Sequence, residues 1–152
     1  IKNEVHGKVI IISGKVYDGQ GIALDDAMVE IWQADLQGKY RTNLNDDFLG
    51  FGRMGTGSNE DRSFEFKTFK PGKVEKNLAP HVNITVFARG MLNHLFTRMY
   101  FSDEEEDNQK DIILNQIDPL SRSNLIANKV DDQNYRFDIF LQGEHETVFF
   151  DI

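Results

Sequence analysis

Ala79-Pro80-His81-Val82-Asn83-Ile84-Thr85-Val86-Phe87-Ala88-Arg89-Gly90 is the stretch from which the chain is read. Apolar side chains recur every second residue at Val82, Ile84 and Val86, so it is a half-buried strand. His81 and Asn83 share the opposite face, because residues two apart on a strand point the same way. A His-x-His at that place would offer a metal two rings. Here Asn83 stands in the second position, and the strand resembles a metal site with one ligand removed.

The flanking runs repeat the strand pattern. Val9-Ile10-Ile11-Ile12-Ser13-Gly14-Lys15-Val16-Tyr17 is β-branched and ends at Asp18-Gly19-Gln20-Gly21, where glycines suit the positive-φ positions of a tight turn. That turn lacks the further ligand positions of a calcium loop. Ala27 to Ala34 alternates again, with Val29, Ile31 and Gln33 on one face and Met28, Glu30 and Trp32 on the other. From Tyr40 to Arg62 the pattern dissolves into Asn, Asp, Gly and Arg, and this length of loop points to a functional or mobile segment. Ser63 to Phe69 restores alternation and stops at Lys70-Pro71-Gly72, a turn in which proline fixes φ. His94 to Phe101 reads as a strand antiparallel to the opening stretch, joined to it through Gly90-Met91-Leu92-Asn93. Ser102 followed by four acids predicts a capped short helix, and Asp118-Pro119 predicts a second one carrying Leu120 to Lys129. Tyr135 to Leu141 and Thr147 to Phe150 are the expected closing strands. Strands at short spacing with one or two short helices between the late ones predict a mainly β fold, a β-sandwich, as a single domain over residues 1–152.

Composition narrows the function classes. With 17 Lys and Arg against 25 Asp and Glu, the formal charge of −8 disfavours nucleic acid or an anionic membrane as partner. The absence of cysteine removes disulfide, zinc-thiolate and thiol-nucleophile chemistry, and fits a cytoplasmic protein. No apolar run approaches the roughly 18 residues of a membrane span. The sequence starts at Ile1 and not at Met, so a trimmed N-terminus is expected.

Specific strings carry a family resemblance. Val16-Tyr17-Asp18-Gly19, Val29-Glu30-Ile31-Trp32-Gln33-Ala34-Asp35, Lys70-Pro71-Gly72, Ala79-Pro80-His81, Phe87-Ala88-Arg89-Gly90, Thr97-Arg98-Met99-Tyr100-Phe101 and the tail from Tyr135 stand in order from about Gly14 to Ile152. Together they resemble the intradiol ring-cleaving dioxygenases, and within that family the alpha-type chains of its two-chain members. The resemblance implies a transthyretin-like β-sandwich. It also implies a partner beta chain that holds Fe(III) with two tyrosines and two histidines, in repeated alpha-beta protomers. Protocatechuate and O2 are the implied substrates, and 3-carboxy-cis,cis-muconate is the implied product. Carried onto this chain, the four ligand positions fall on Tyr40 and His81, which are kept, and on Val74 and Asn83, which are lost. The arginine that precedes His-x-His in iron-binding chains falls near Leu78.

Two donors of four cannot hold that ion, so no catalytic residue and no metal ligand is expected in this chain. His81 is then expected to make ordinary hydrogen bonds at the strand end. The resemblance implies that Arg89 reaches the pocket shared with the partner, where a guanidinium pairs with a carboxylate or catecholate; the competing reading is an arginine closing the strand before Gly90. The family's N-terminal string with Gly-Pro-Tyr is absent from this sequence. On the residues alone two other classes stay open. One is an independent metalloenzyme recruiting Tyr40, His81 and a third donor, and the other is a plain binding module, since sandwiches host many functions.

Overall fold

The computed structural model describes residues 7–43, 45, 48–88, 90 and 94–150. Strand β1 (Val9–Tyr17) sits near the middle of one wall, pairing antiparallel with β4 (Ser63–Phe69) and parallel with β8 (Asn134–Arg136). Its apolar side chains at Ile10, Ile12 and Val16 are wholly buried, as the alternation requires. Gly14 falls on that same inward face. A methyl group there would meet the Phe137 carbonyl oxygen at 1.7 Å, so only glycine lets the two segments approach.

The second wall is built from β3 (Phe51–Gly55), β2 (Met28–Gln33), β5 (His81–Phe87) and β6 (Leu95–Phe101), all antiparallel neighbours in that order. The walls are joined through β7 (Ile126–Lys129), which runs parallel to β6 at Tyr100 and Phe101 and antiparallel to β8. A two-residue strand β9 (Ile139–Phe140) continues the pairing with β1. Between the walls lies one apolar core. Ile10, Ile12, Phe64 and Tyr135 come from one side, and Val29, Ile31, Val82, Ile84 and Met99 from the other. This is the mainly β sandwich that the sequence predicts.

Gln33 is the polar exception on the inward face of β2. Its Nε2 donates to the Phe69 carbonyl at 2.6 Å, and its Oε1 accepts from the Thr68 hydroxyl at 2.9 Å. The buried amide therefore ties β2 to β4 with its polar atoms satisfied. A smaller core of Ala79, Tyr100, Leu114 and Leu125 lies on the far side of β6, under the two helices.

Several expectations are corrected. Helix α1 (Glu105–Lys110) begins with Glu104 at its N-cap and no side-chain cap, because the Ser102 hydroxyl instead accepts from the backbone of Lys129 at 2.9 Å. Acids in its first turn still complement the helix dipole. Helix α2 (Pro119–Arg122) is capped by Asp118, whose carboxylate accepts from Leu120 N, but it lasts one turn. A 3-10 turn follows, and the residues expected to extend the helix form β7. There tertiary pairing with β6 overrides local preference. The Tyr40–Arg62 loop contains β3, whose alternation is masked by exposure on both faces at the sheet edge. The expected strand from Tyr135 splits into β8 and β9, and Thr147 to Phe150 adds only an isolated bridge between Phe150 and Phe96.

Candidate functional site

The outward face of the second wall carries the residues that the sequence singled out. On β5, His81 and Asn83 point away from the core. They stand opposite Tyr100 and Arg98 of β6, and Asn83 also stands opposite Trp32 of β2. The strand pairing thus sets a block of four polar side chains beside an indole.

Tyr40 reaches this face through a turn built on Asp35. One carboxylate oxygen accepts from the backbone of Gln37 and Lys39, each at 2.9 Å, and the other from Arg41 Nε at 2.9 Å. Burial alone would raise the Asp35 pKa, but these hydrogen bonds outweigh it and hold the carboxyl below its usual range. Gly38 has φ of +80°, and a Cβ there would lie 1.8 Å from the Lys73 carbonyl oxygen. That turn is clipped to Lys70-Pro71-Gly72, since Gly72 N donates to the Asp35 carbonyl at 2.9 Å. The clip brings Val74 beside Gly38, with its Cα 3.2 Å from where a Gly38 side chain would begin. The Tyr40 ring stacks on Trp32 at 5.3 Å, and its hydroxyl accepts from Asn83 Nδ2 at 2.7 Å. The same Nδ2 donates to the Trp32 carbonyl at 3.1 Å.

His81 is 3% exposed and hydrogen-bonds through Nδ1 to the Ala79 carbonyl at 2.8 Å. A carbonyl only accepts, so Nδ1 carries the proton and Nε2 is the bare nitrogen. Burial lowers the His81 pKa, the Ala79 contact opposes this, and the Arg98 guanidinium adds to the lowering. The ring is therefore neutral at neutral pH. Ala79 is held in turn by Asp111, a fully buried carboxylate that accepts from Ala79 N at 2.7 Å, Ile113 N at 2.9 Å and Leu114 N at 2.8 Å. Tyr100 donates to the same carboxylate at 3.4 Å, and burial with the Asp111 charge pushes its phenol up to about 12.

The structure sets His81 and Asn83 on one face of β5, with Tyr40 bonded to Asn83, and sets Val74 next to the turn that delivers Tyr40. The residues present do not fit a ferric ion. Val74 has no donor, and the Asn83 amide presents its NH2 group to the Tyr40 oxygen, so a donor hydrogen occupies the acceptor that a metal would use. Arg98 adds a cation whose Nη1 is buried without a hydrogen-bond partner. Among the described residues there is no group of three His, Cys, Asp or Glu side chains placed to hold a metal. Arg89, the inferred substrate contact, lies outside the described residues, as do Met91, Leu92 and Asn93 of the expected connection.

Arg98, Tyr100 and Asp111 were not foreseen as part of this face. Strand alternation held the signal for two of them, since Arg98 and Tyr100 flank Met99 and so share the face opposite the core. Asp111 gave no such signal, because its role depends on a loop folding back to Ala79.

Comparison with known proteins places the chain. A sequence-family profile described as Dioxygenase matches residues 2–143. The chain is 42% identical to the protocatechuate 3,4-dioxygenase alpha chain of Burkholderia cepacia, covering 96% of this chain and 78% of that one. It is 45% identical to the alpha chain of that name from Pseudomonas putida, covering 99% and 79%. Among solved structures it resembles the dioxygenase domain of a dioxygenase and carbohydrate-binding fusion protein from Streptomyces sp. SirexAA-E. The TM-score is 0.72 at 25% identity, over 94% of this chain and 85% of that one. With most of its length matched by the profile and by these relatives, the chain belongs to the dioxygenase family, the intradiol ring-cleaving group that its strings resemble.

Proposed function

We propose that the chain is the non-iron-binding alpha subunit of a protocatechuate 3,4-dioxygenase. A single observation carries the reading. A chain more than 40% identical to alpha chains over nearly its whole length has a valine and an amide at two of the four inferred ligand positions, with a guanidinium across from the amide. The iron then belongs to a beta-type partner, which holds Fe(III) and meets O2 and protocatechuate. This chain walls the shared pocket, and Arg89 supplies a guanidinium that pairs with the substrate's carboxylate or catecholate. The two chains form alpha-beta protomers that repeat in a larger assembly.

Tyr40, Trp32, Asn83 and His81 are structural in this reading. Their stacking and hydrogen bonds hold the turn at Gly38 against the start of β5. No helix among the described residues is long and apolar enough to cross a membrane. Cytoplasmic residence of a single sandwich domain over residues 1–152 completes the reading.

Co-expression with a beta-type chain tests it. O2 uptake with protocatechuate and formation of 3-carboxy-cis,cis-muconate are expected from the pair and not from this chain alone. Turnover by this chain without a partner, or no association with a beta-type chain, contradicts the assignment.

A further inference from the structure

We propose that Arg98 bars metal from the position surrounded by Tyr40, His81 and Asn83, by fixing a permanent cation where donor side chains converge. The inference rests on the reading that this position descends from a metal site, and it concerns why the site stays empty of metal beyond the loss of two donors.

The register supplies the geometry. Arg98 stands directly across from Asn83, and Tyr100 from His81. Residues opposite one another on antiparallel strands have Cβ atoms about 4.5–5.5 Å apart. The side chain beside the missing second histidine is therefore a guanidinium. That group does not lose its proton in proteins, so its charge persists at every working pH. Its Nη1 is buried and has no hydrogen-bond partner. No carboxylate among the described residues forms an ion pair with Arg98. Asp111, the carboxylate beside Tyr100, engages three backbone N–H groups instead. A multiply charged ion arriving at Tyr40 and His81 would meet the Arg98 cation, which has no ion-pair partner among the described residues and whose Nη1 is buried, so that like-charge repulsion is screened less than in open water. Restoring donors is then insufficient, and the charge must also be removed.

The experiment uses the full chain in three forms: Val74→Tyr with Asn83→His, that pair with Arg98→Gln, and that pair with Arg98→Lys. Fe(III) affinity is read from metal per polypeptide and from tyrosinate-to-iron absorption, with circular dichroism reporting the fold. The Arg98→Gln triple variant is expected to bind at least a hundredfold more tightly than the pair alone, and the Arg98→Lys triple to bind like the pair. Equal binding with and without Arg98, equal binding by the Gln and Lys forms, or no binding by any folded form overturns the proposal. Because the added side chains can hinder folding, Arg98→Gln and Arg98→Lys are also compared in the otherwise unchanged chain, with Zn(II) as probe and His81→Gln to subtract other sites. There the Gln form is expected to gain at least tenfold in His81-dependent Zn(II) affinity and the Lys form nothing. Equal affinities in that comparison also refute it. Iron bound natively by the unaltered chain would instead refute the subunit assignment, so the two failures are distinct.

Discussion

Replacing Asp111 by alanine tests how the end of β5 is held. The carboxylate is wholly buried and accepts three backbone N–H bonds, two of them from buried donors at Ala79 and Leu114 and one from partly buried Ile113. A buried donor left without a partner costs about 1–3 kcal/mol, and bonds to a charged acceptor lie at the upper end of the usual range. Two stranded donors, a weakened third and a lost Tyr100 contact bring the expected cost of Asp111→Ala to about 3–5 kcal/mol. Asp111→Asn keeps one acceptor oxygen but loses the charge, so about half that cost is expected. With a urea m-value of about 2 kcal/mol/M, typical for a small protein, these losses lower the unfolding midpoint by roughly 2 M and 1 M. Equilibrium urea unfolding followed by Trp32 fluorescence measures both. The His81 ring signals should also shift in Asp111→Asn, since Ala79 carries both the Asp111 bond and the His81 bond. A midpoint shift below roughly 0.5 M for the alanine variant, where several kcal/mol are expected, would show that these bonds do not anchor the strand end.

Other outcomes follow from the same geometry. Arg89→Ala, measured in the complex with a beta-type chain, should lower kcat/KM for protocatechuate by roughly tenfold or more, as loss of one charge-assisted pair implies, while iron content stays unchanged. Unaltered KM and turnover would remove Arg89 from the pocket. His81 has a folded pKa below its unfolded value of 6.5, so the unfolded chain takes up a proton first as pH falls. Stability is thus unaffected by this group well above pH 6.5 and declines below it, by at most about 1.4 kcal/mol per pH unit until the folded ring also protonates. Urea midpoints between roughly pH 7.5 and 5.5 should slope in the parent and flatten in His81→Gln; equal slopes contradict the buried neutral ring. Gly38→Ala places a methyl group 1.8 Å from the Lys73 carbonyl oxygen in a positive-φ residue, so a loss of about 3 kcal/mol or more is expected in thermal or urea unfolding. A neutral result would mean that the clip between the two turns is not rigid.

The strands with clean alternation were legible in sequence because one face is buried and the other is not. β2 and β5 show the faces assigned to them, down to Gln33 on the inward side. β3 was not legible, since at the sheet edge its side chains are exposed or half-buried and no periodicity develops. The stretch after Pro119 misled because Asp-Pro signals a helix start but says nothing of its length, which the pairing of β7 with β6 decides. At the site, Tyr40 and His81 could be named from strings, and their partnership with Asn83 and Trp32 came only with the fold. The polar block of Arg98 and Tyr100 depends on the register between β5 and β6, and a sequence does not state register. Asp111 is more remote still, bonding a residue 32 positions away.

The account is tested most directly by iron per polypeptide after the two chain types of the co-expressed enzyme are separated under native conditions. Less than about a tenth of an iron per copy is expected in this chain, with close to one in its partner, since two donors of four with a cation beside them cannot hold the ion. Near-stoichiometric iron in this chain alone, with tyrosinate-to-iron colour, would contradict it.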